Sequence, residues 1–188
     1  MASQAGLVQD KIDRCLFERY GDVQAFGVNT AAHVELEKIT AEQTRSLTEA
    51  MNQYITGYGC YALTVVVSPT GRIAAVNTVD KDGKPIASTG LIGRDVSGDA
   101  WFTKIKAGDF TTGKDRAGNP CLTGTAVGAP AKNAMVEEIY GKAGSPNWTM
   151  TFSAPIRDAG GRTVGYWHNC FGSEMVEEIV ATTRDQLA

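Results

Sequence analysis

The soft metal ligands and nucleophile–base pairs available to this chain come from two histidines, His33 and His168, and four cysteines, Cys15, Cys60, Cys121 and Cys170. The cysteines are widely separated and form no CxxC, which argues against a zinc ribbon or a thioredoxin-like pair. Their even number permits two disulfides in an oxidising compartment, in any of three pairings. Each thiol also fits the role of a small buried hydrophobe. His168 and Cys170 stand two apart in a strand-like run, so their side chains fall on one face. That spacing could begin a metal site or a Cys–His nucleophile pair. It equally fits a His and a Cys lining a half-buried sheet, the preferred reading because no third ligand clusters with them. No nucleophile elbow, HExxH, Walker loop or EF-hand spacing occurs. Gly118, Gly124 and Gly128 do not open a helix after a strand, so they make no dinucleotide fingerprint. The pairs Glu137–Glu138 and Glu177–Glu178 read as solvated helix faces. Without a complete catalytic set, the sequence points to binding rather than catalysis, with no cofactor and no metal.

The chain has 188 residues, 43% of them hydrophobic, enough for one ordinary domain with its own core. A formal net charge of −3 argues against a nucleic-acid partner, which would call for a surplus of Lys and Arg on one face. No run approaches the roughly 18 apolar residues of a membrane span. The N-terminus lacks the basic and apolar regions of a signal peptide. If the chain is a receptor fragment, its flanking membrane helices have been removed.

Residues 1–58 read as helical. Val8, Ile12, Leu16, Val23 and Phe26 recur at helical spacing, and Asn29-Thr30 breaks the run. Thr40 and Gln43 have capping-box spacing. They precede a stripe of Leu47, Ala50, Met51, Tyr54, Ile55 and Tyr58 that Gly57 and Gly59 terminate. The pattern then turns β-branched: a strand over 61–67, a Ser68–Gly71 turn, and a returning strand over 72–77. Ser97 is positioned to cap a short helix with Asp99 in its first turn and Trp101, Phe102 and Ile105 on one side. Short strands are expected at 111–113 and 121–127, with a turn over 115–120 between them and a helical excursion over 132–140. Strong strands follow over 147–156 and 163–171, and an amphipathic helix over 173–187. The pentapeptide MVEEI occurs at 135–139 and 175–179, but its flanks do not repeat. Helices segregated from a meandering antiparallel sheet make an α+β domain.

Several segments carry a resemblance. ALTVVVSPTGRIAAVN, GRDVSGDAWFTKIKAG and WTMTFSAPIRDAGGRTVGYW, in that order, resemble the Cache family of bacterial extracytoplasmic sensor domains. CLFERYGDVQAFGVNTA is similar to the membrane-proximal helix of methyl-accepting chemotaxis proteins. The resemblance implies a single PAS-like antiparallel sheet with a long N-terminal helix and a C-terminal helix. It divides the chain into a helical segment over 1–58, a ligand-binding core over 59–172, and a helix over 173–188 that leads toward the membrane. Amino-acid receptors of this family carry an Arg two residues before the helix Trp and a Tyr five residues before that Arg. The matching positions here are Asp99 and Arg94, and both depart from the pattern. An Asp common in relatives is replaced by Cys170.

The resemblance implies ligand contacts at Arg94, Asp99, Trp101, Phe102, Thr151, Tyr166 and His168. Arg94 would suit a carboxylate, or it pairs with Asp95 or Asp99 on the surface. Asp99 would suit a cation, or it favours the helix N-terminus. Trp101 and Phe102 would wall the pocket, at least one of them also serving the core. Tyr166 and His168 would hydrogen-bond the ligand, or Tyr166 belongs to a face under the N-terminal helix. Thr149, Thr151 and Ser153 share one strand face, lining either a small polar pocket or the outer sheet surface. The implied function is that of a periplasmic sensor in a membrane-anchored chemotaxis receptor, binding a small organic molecule with an organic acid favoured. A homodimer through the long helix would carry the signal. The alternatives are a histidine-kinase or cyclase sensor, a redox protein or enzyme using His168 and Cys170, and a structural or adhesive module with an empty pocket.

Overall fold

A computed structural model of the chain describes residues 4–114, 119–144 and 148–185. Helix α1 (Gln4–Phe26) leads through two 3₁₀ turns into α2 (Ala41–Tyr58). The break follows from Asn29, whose side chain accepts from Ala31 N and caps the first turn. Helix α2 starts where Thr40 and Gln43 form a full capping box and stops at Gly59, which takes the left-handed conformation that glycine adopts without a Cβ penalty. Leu47, Met51 and Ile55, four residues apart, are its buried stripe.

The strands are β1 (Tyr61–Val67), β2 (Ile73–Val76), β3 (Gly113–Lys114), β4 (Pro120–Leu122), β5 (Ala126–Ala131), β6 (Thr149–Arg157) and β7 (Thr163–Gly172). Five of them form one antiparallel sheet in the order β2-β1-β7-β6-β5, and β3 pairs with β4 apart from it. The remaining helices are α3 (Ala100–Lys106), α4 (Ala134–Gly144) and α5 (Glu174–Asp185). Alternation along the strands splits the core in two. Val66, Phe152, Ala154, Trp167 and Phe171 pack against α1 and α2. Leu63, Val65, Val67, Tyr166 and Cys170 pack against α3 and α4.

The structure departs from the sequence reading in four places. Helix α2 runs through Gly57 and stops only at Gly59. The strand expected over 121–127 is two strands, β4 and β5, separated at 123–125. There Gln24 of α1 donates to Thr123 O, and the buried Thr125 donates from its hydroxyl to Tyr20 O, so contacts from α1 hold the chain out of strand geometry. The cap of α3 is Asp99 rather than Ser97, and it makes no side-chain capping bond. The strand expected at 111–113 is displaced to Gly113–Lys114. The turn expected over 115–120 falls largely outside the described residues. Cys15, Cys60 and Cys170 are free thiols; the side chain of Cys121 is outside the described set. No helix among the described residues is long and apolar enough to cross a membrane.

Candidate functional site

The sheet face under α3 and α4 is built at the centre of β7. Tyr166, His168 and Cys170 alternate onto it, opposite Pro155, Ser153 and Thr151 of β6 and opposite Val67, Val65 and Leu63 of β1. Gly128 of β5 lies across from Thr151, and a Cβ there would run into the Thr151 hydroxyl, so glycine is what lets the two strands close. In the row Thr149, Thr151 and Ser153, the first and last are buried and Thr151 is half-buried. Tyr166 lies on this side rather than beneath α1.

Helix α3 covers the face with rings. The Trp101 and His168 rings are stacked, with centroids 3.8 Å apart and planes inclined by 25°. Phe102 meets Trp101 edge-on at 5.8 Å and Tyr166 at 5.4 Å. Four of the seven residues expected at the site thus form one continuous cluster. Thr151 adjoins it across Cys170. Asp99 sits at the rim, accepting from Trp101 Nε1 at 3.1 Å. Arg94 is tied to neither Asp95 nor Asp99. Its Nη2 donates to both carboxylate oxygens of Glu138 at 2.7 and 2.8 Å, bridging the loop before α3 to α4. This corrects the expected surface pairing, and the cause is the approach of α4, which brings a carboxylate from 44 residues away.

Both nitrogens of His168 are engaged inside the sheet. Nδ1 shares a hydrogen bond with Ser153 Oγ at 2.8 Å, and Nε2 lies 3.6 Å from Cys170 Sγ. The ring is wholly buried, and burial pushes its pKa down to about 3. Burial pushes the Cys170 thiol up to about 12. At neutral pH the pair is therefore a neutral imidazole beside a thiol rather than a thiolate–imidazolium ion pair. Among the described residues, no group of three or more His, Cys, Asp or Glu side chains could hold a metal ion.

Sequence reasoning missed Asn133 and Glu138. Asn133 caps α4 by accepting from Met135 N and Val136 N, and its Nδ2 donates to Cys170 Sγ at 3.3 Å. An Asn just before a helical run was a legible cap signal. Its reach to β7 and the Glu138–Arg94 pair are tertiary and carry no local signature. Tyr140 also ties α4 down, donating to Ala62 O at 2.9 Å. A separate cavity of about 210 Å³ opens between the start of β1 and α5, walled by Asp80, Asp82, Tyr140 and Glu174 among others. None of the seven expected residues lines it.

The same architecture recurs in known sensor domains. Over 94% of its length the chain superposes on 56% of the V. cholerae histidine kinase DctB sensor domain, with a TM-score of 0.63 and 12% identity. The chain has the Cache fold. The ligand-binding domain of the Campylobacter jejuni chemoreceptor Tlp3, solved with L-valine, matches 93% of the chain with 59% of its own length, at a TM-score of 0.61 and 13% identity. That of the Pseudomonas aeruginosa PAO1 amino acid chemoreceptor PctC, solved with GABA, matches 92% of the chain with 59% of its own, at a TM-score of 0.55 and 15% identity. The chain thus spans between 56% and 59% of the length of these Cache domains. No protein-family model and no curated protein matches the sequence.

Proposed function

We propose that this Cache-fold chain is the ligand-binding sensor domain of a transmembrane chemotaxis receptor, facing the periplasm and taking a small organic molecule on the α3–α4 face of its sheet. The observation that carries the reading is the ring cluster of Trp101, Phe102, Tyr166 and His168. It gathers aromatic and hydroxyl groups on one side of the sheet while the other side is given over to α1 and α2. Residues 59–172 are the ligand-binding core. The segment over 1–58 contributes α1 and α2, packed on it, and that over 173–188 contributes α5, leading toward the membrane. Helices α1 and α5 lie side by side, Lys11 Nζ donating to Thr183 Oγ1 at 3.2 Å, which supports both leaving the domain on the same side. Ligand occupancy shifts α1 relative to a second copy, a population shift between two arrangements that the ligand distinguishes. Exposed Leu7 and Phe17 on α1 support that pairing.

The likeness to DctB supports a second output, a histidine kinase, for the same sensing role. A short carboxylate is the ligand that Arg94 suggests, but in this structure it must first displace Glu138. The test is a thermal-shift panel of organic acids, amino acids, amines, purines and sugars. A ligand at about 100 times its Kd should add roughly 2.7 kcal/mol, a rise of several degrees for a domain of this size. Amines that raise Tm while carboxylates leave it unchanged would rule out the organic-acid ligand. A panel silent in every class would weigh against a small-molecule sensor.

A further inference from the structure

The face that Trp101 covers is polar in places but carries no net charge at its centre. Leu63, Val65, Val67, Thr151, Ser153, Tyr166, His168 and Cys170 fill it, and none is ionised at neutral pH. At the rim Arg94 is engaged by Glu138, Asp99 by the Trp101 indole, Lys106 lies over the Phe102 ring at 5.5 Å, and Arg157, whose charge acts on Tyr166, donates to Gly161 O at 3.0 Å. A carboxylate or ammonium laid on His168 would lose its water and meet no counter-charge.

The edges of the His168 ring are spent on Ser153 and Cys170, so what it offers a newcomer is its face. The group now lying on that face, Trp101, is the least anchored ring of the cluster. It is half-buried on a seven-residue helix, and its N–H is tied to an exposed carboxylate. Phe102 beside it is buried to 1% exposure. Thr151, half-buried on the same face, has a hydroxyl with no hydrogen-bond partner among the described residues. We infer that Trp101 is an internal occupant of the site, and that the ligand is an uncharged planar ring which takes its place on His168 with Thr151 as a polar partner. The inference rests on the sensor reading above and replaces the short carboxylate that Arg94 suggests with an uncharged ring.

Calorimetric titration with matched probes tests it: benzamide against benzoate, and benzyl alcohol against benzylamine, at pH 7.5. The uncharged member of each pair is expected to bind about tenfold more tightly or better, since a desolvated, unpaired charge costs at least one such factor. Trp101→Ala, with its folding checked by circular dichroism, uncovers His168 and should bind the uncharged probes more tightly than the wild type. It should do so even where the wild type, holding its own indole, shows no heat. Charged probes binding as tightly as or more tightly than their partners would overturn the ligand class and leave the sensor reading standing. Failure of folded Trp101→Ala to bind any of the four would overturn it too. The sensor reading fails separately, on the broad thermal-shift panel.

Discussion

The two faces of the sheet take the same strand and use it in opposite ways. On the α1–α2 side, Trp167 is wholly buried, its Nε1 donating to Thr64 Oγ1 at 2.7 Å and to Asn169 Oδ1 at 3.0 Å. Phe26 and Tyr54 meet it edge-on and are stacked on each other at 4.1 Å, and Tyr61 packs on Phe26 in turn. Below them Arg19, Asp22 and Tyr61 form a buried polar chain with contacts of 2.9 and 2.7 Å. On the α3–α4 side, the next residue of the strand, His168, is covered by a half-buried indole on a two-turn helix. One face is held by two long helices and a packed aromatic core, the other by short elements joined by a few polar ties. In the proposed sensor, the α1–α2 side would be the fixed, transmitting face and the α3–α4 side the looser, receiving face.

That comparison fails if the rings of the two faces prove equally structural. Trp167→Ala should cost about 3–5 kcal/mol in a urea melt, because it empties a packed core and removes the N–H that Thr64 and Asn169 accept. Acid should act next, through His168 on the α3–α4 face. The unfolded chain's histidine protonates near 6.5, whereas folded His168 stays neutral down to about 3. The unfolded state therefore takes up the proton first as pH falls. The stability conferred by neutral burial is complete above about 6.5 and is lost progressively toward the folded value. Between pH 6.5 and 5 the loss should be about 2 kcal/mol, measured as the wild-type change less that of His168→Asn. A difference that does not vary with pH would mean the ring is not buried as described.

Trp101→Ala should cost only about 1 kcal/mol, well below Trp167→Ala, since its indole is partly exposed and its helix is short. Equal losses would erase the contrast. Arg94→Ala should cost less than about 1 kcal/mol, as expected for an ion pair with both partners substantially exposed. A loss above that value would make the Arg94–Glu138 bridge a structural support of α4.

Much of the transmitting face was legible in the sequence, because its signals are local. The Thr40–Gln43 capping box, the Leu47–Met51–Ile55 stripe and the β-branched run from Tyr61 to Val67 each specify an element without reference to a distant residue. The alternation of Tyr166, His168 and Cys170 onto one face was equally plain, since strand periodicity is two. What covers that face was not. Glu138 reaches Arg94 across 44 positions and Asn133 reaches Cys170 across 37, and nothing in either segment announces its partner. The split of the 121–127 run into β4 and β5 has the same origin, for it is imposed by Tyr20 and Gln24 of α1.

Hydrogen exchange read by mass spectrometry, with and without the compound that raises Tm most, tests most directly whether the α3–α4 face is where ligands enter. Protection is predicted over 100–106, 134–140 and 166–170, with α2 and β1 unchanged. Protection confined to α1 and α2, or to the walls of the cavity between β1 and α5, would contradict the assignment of the site.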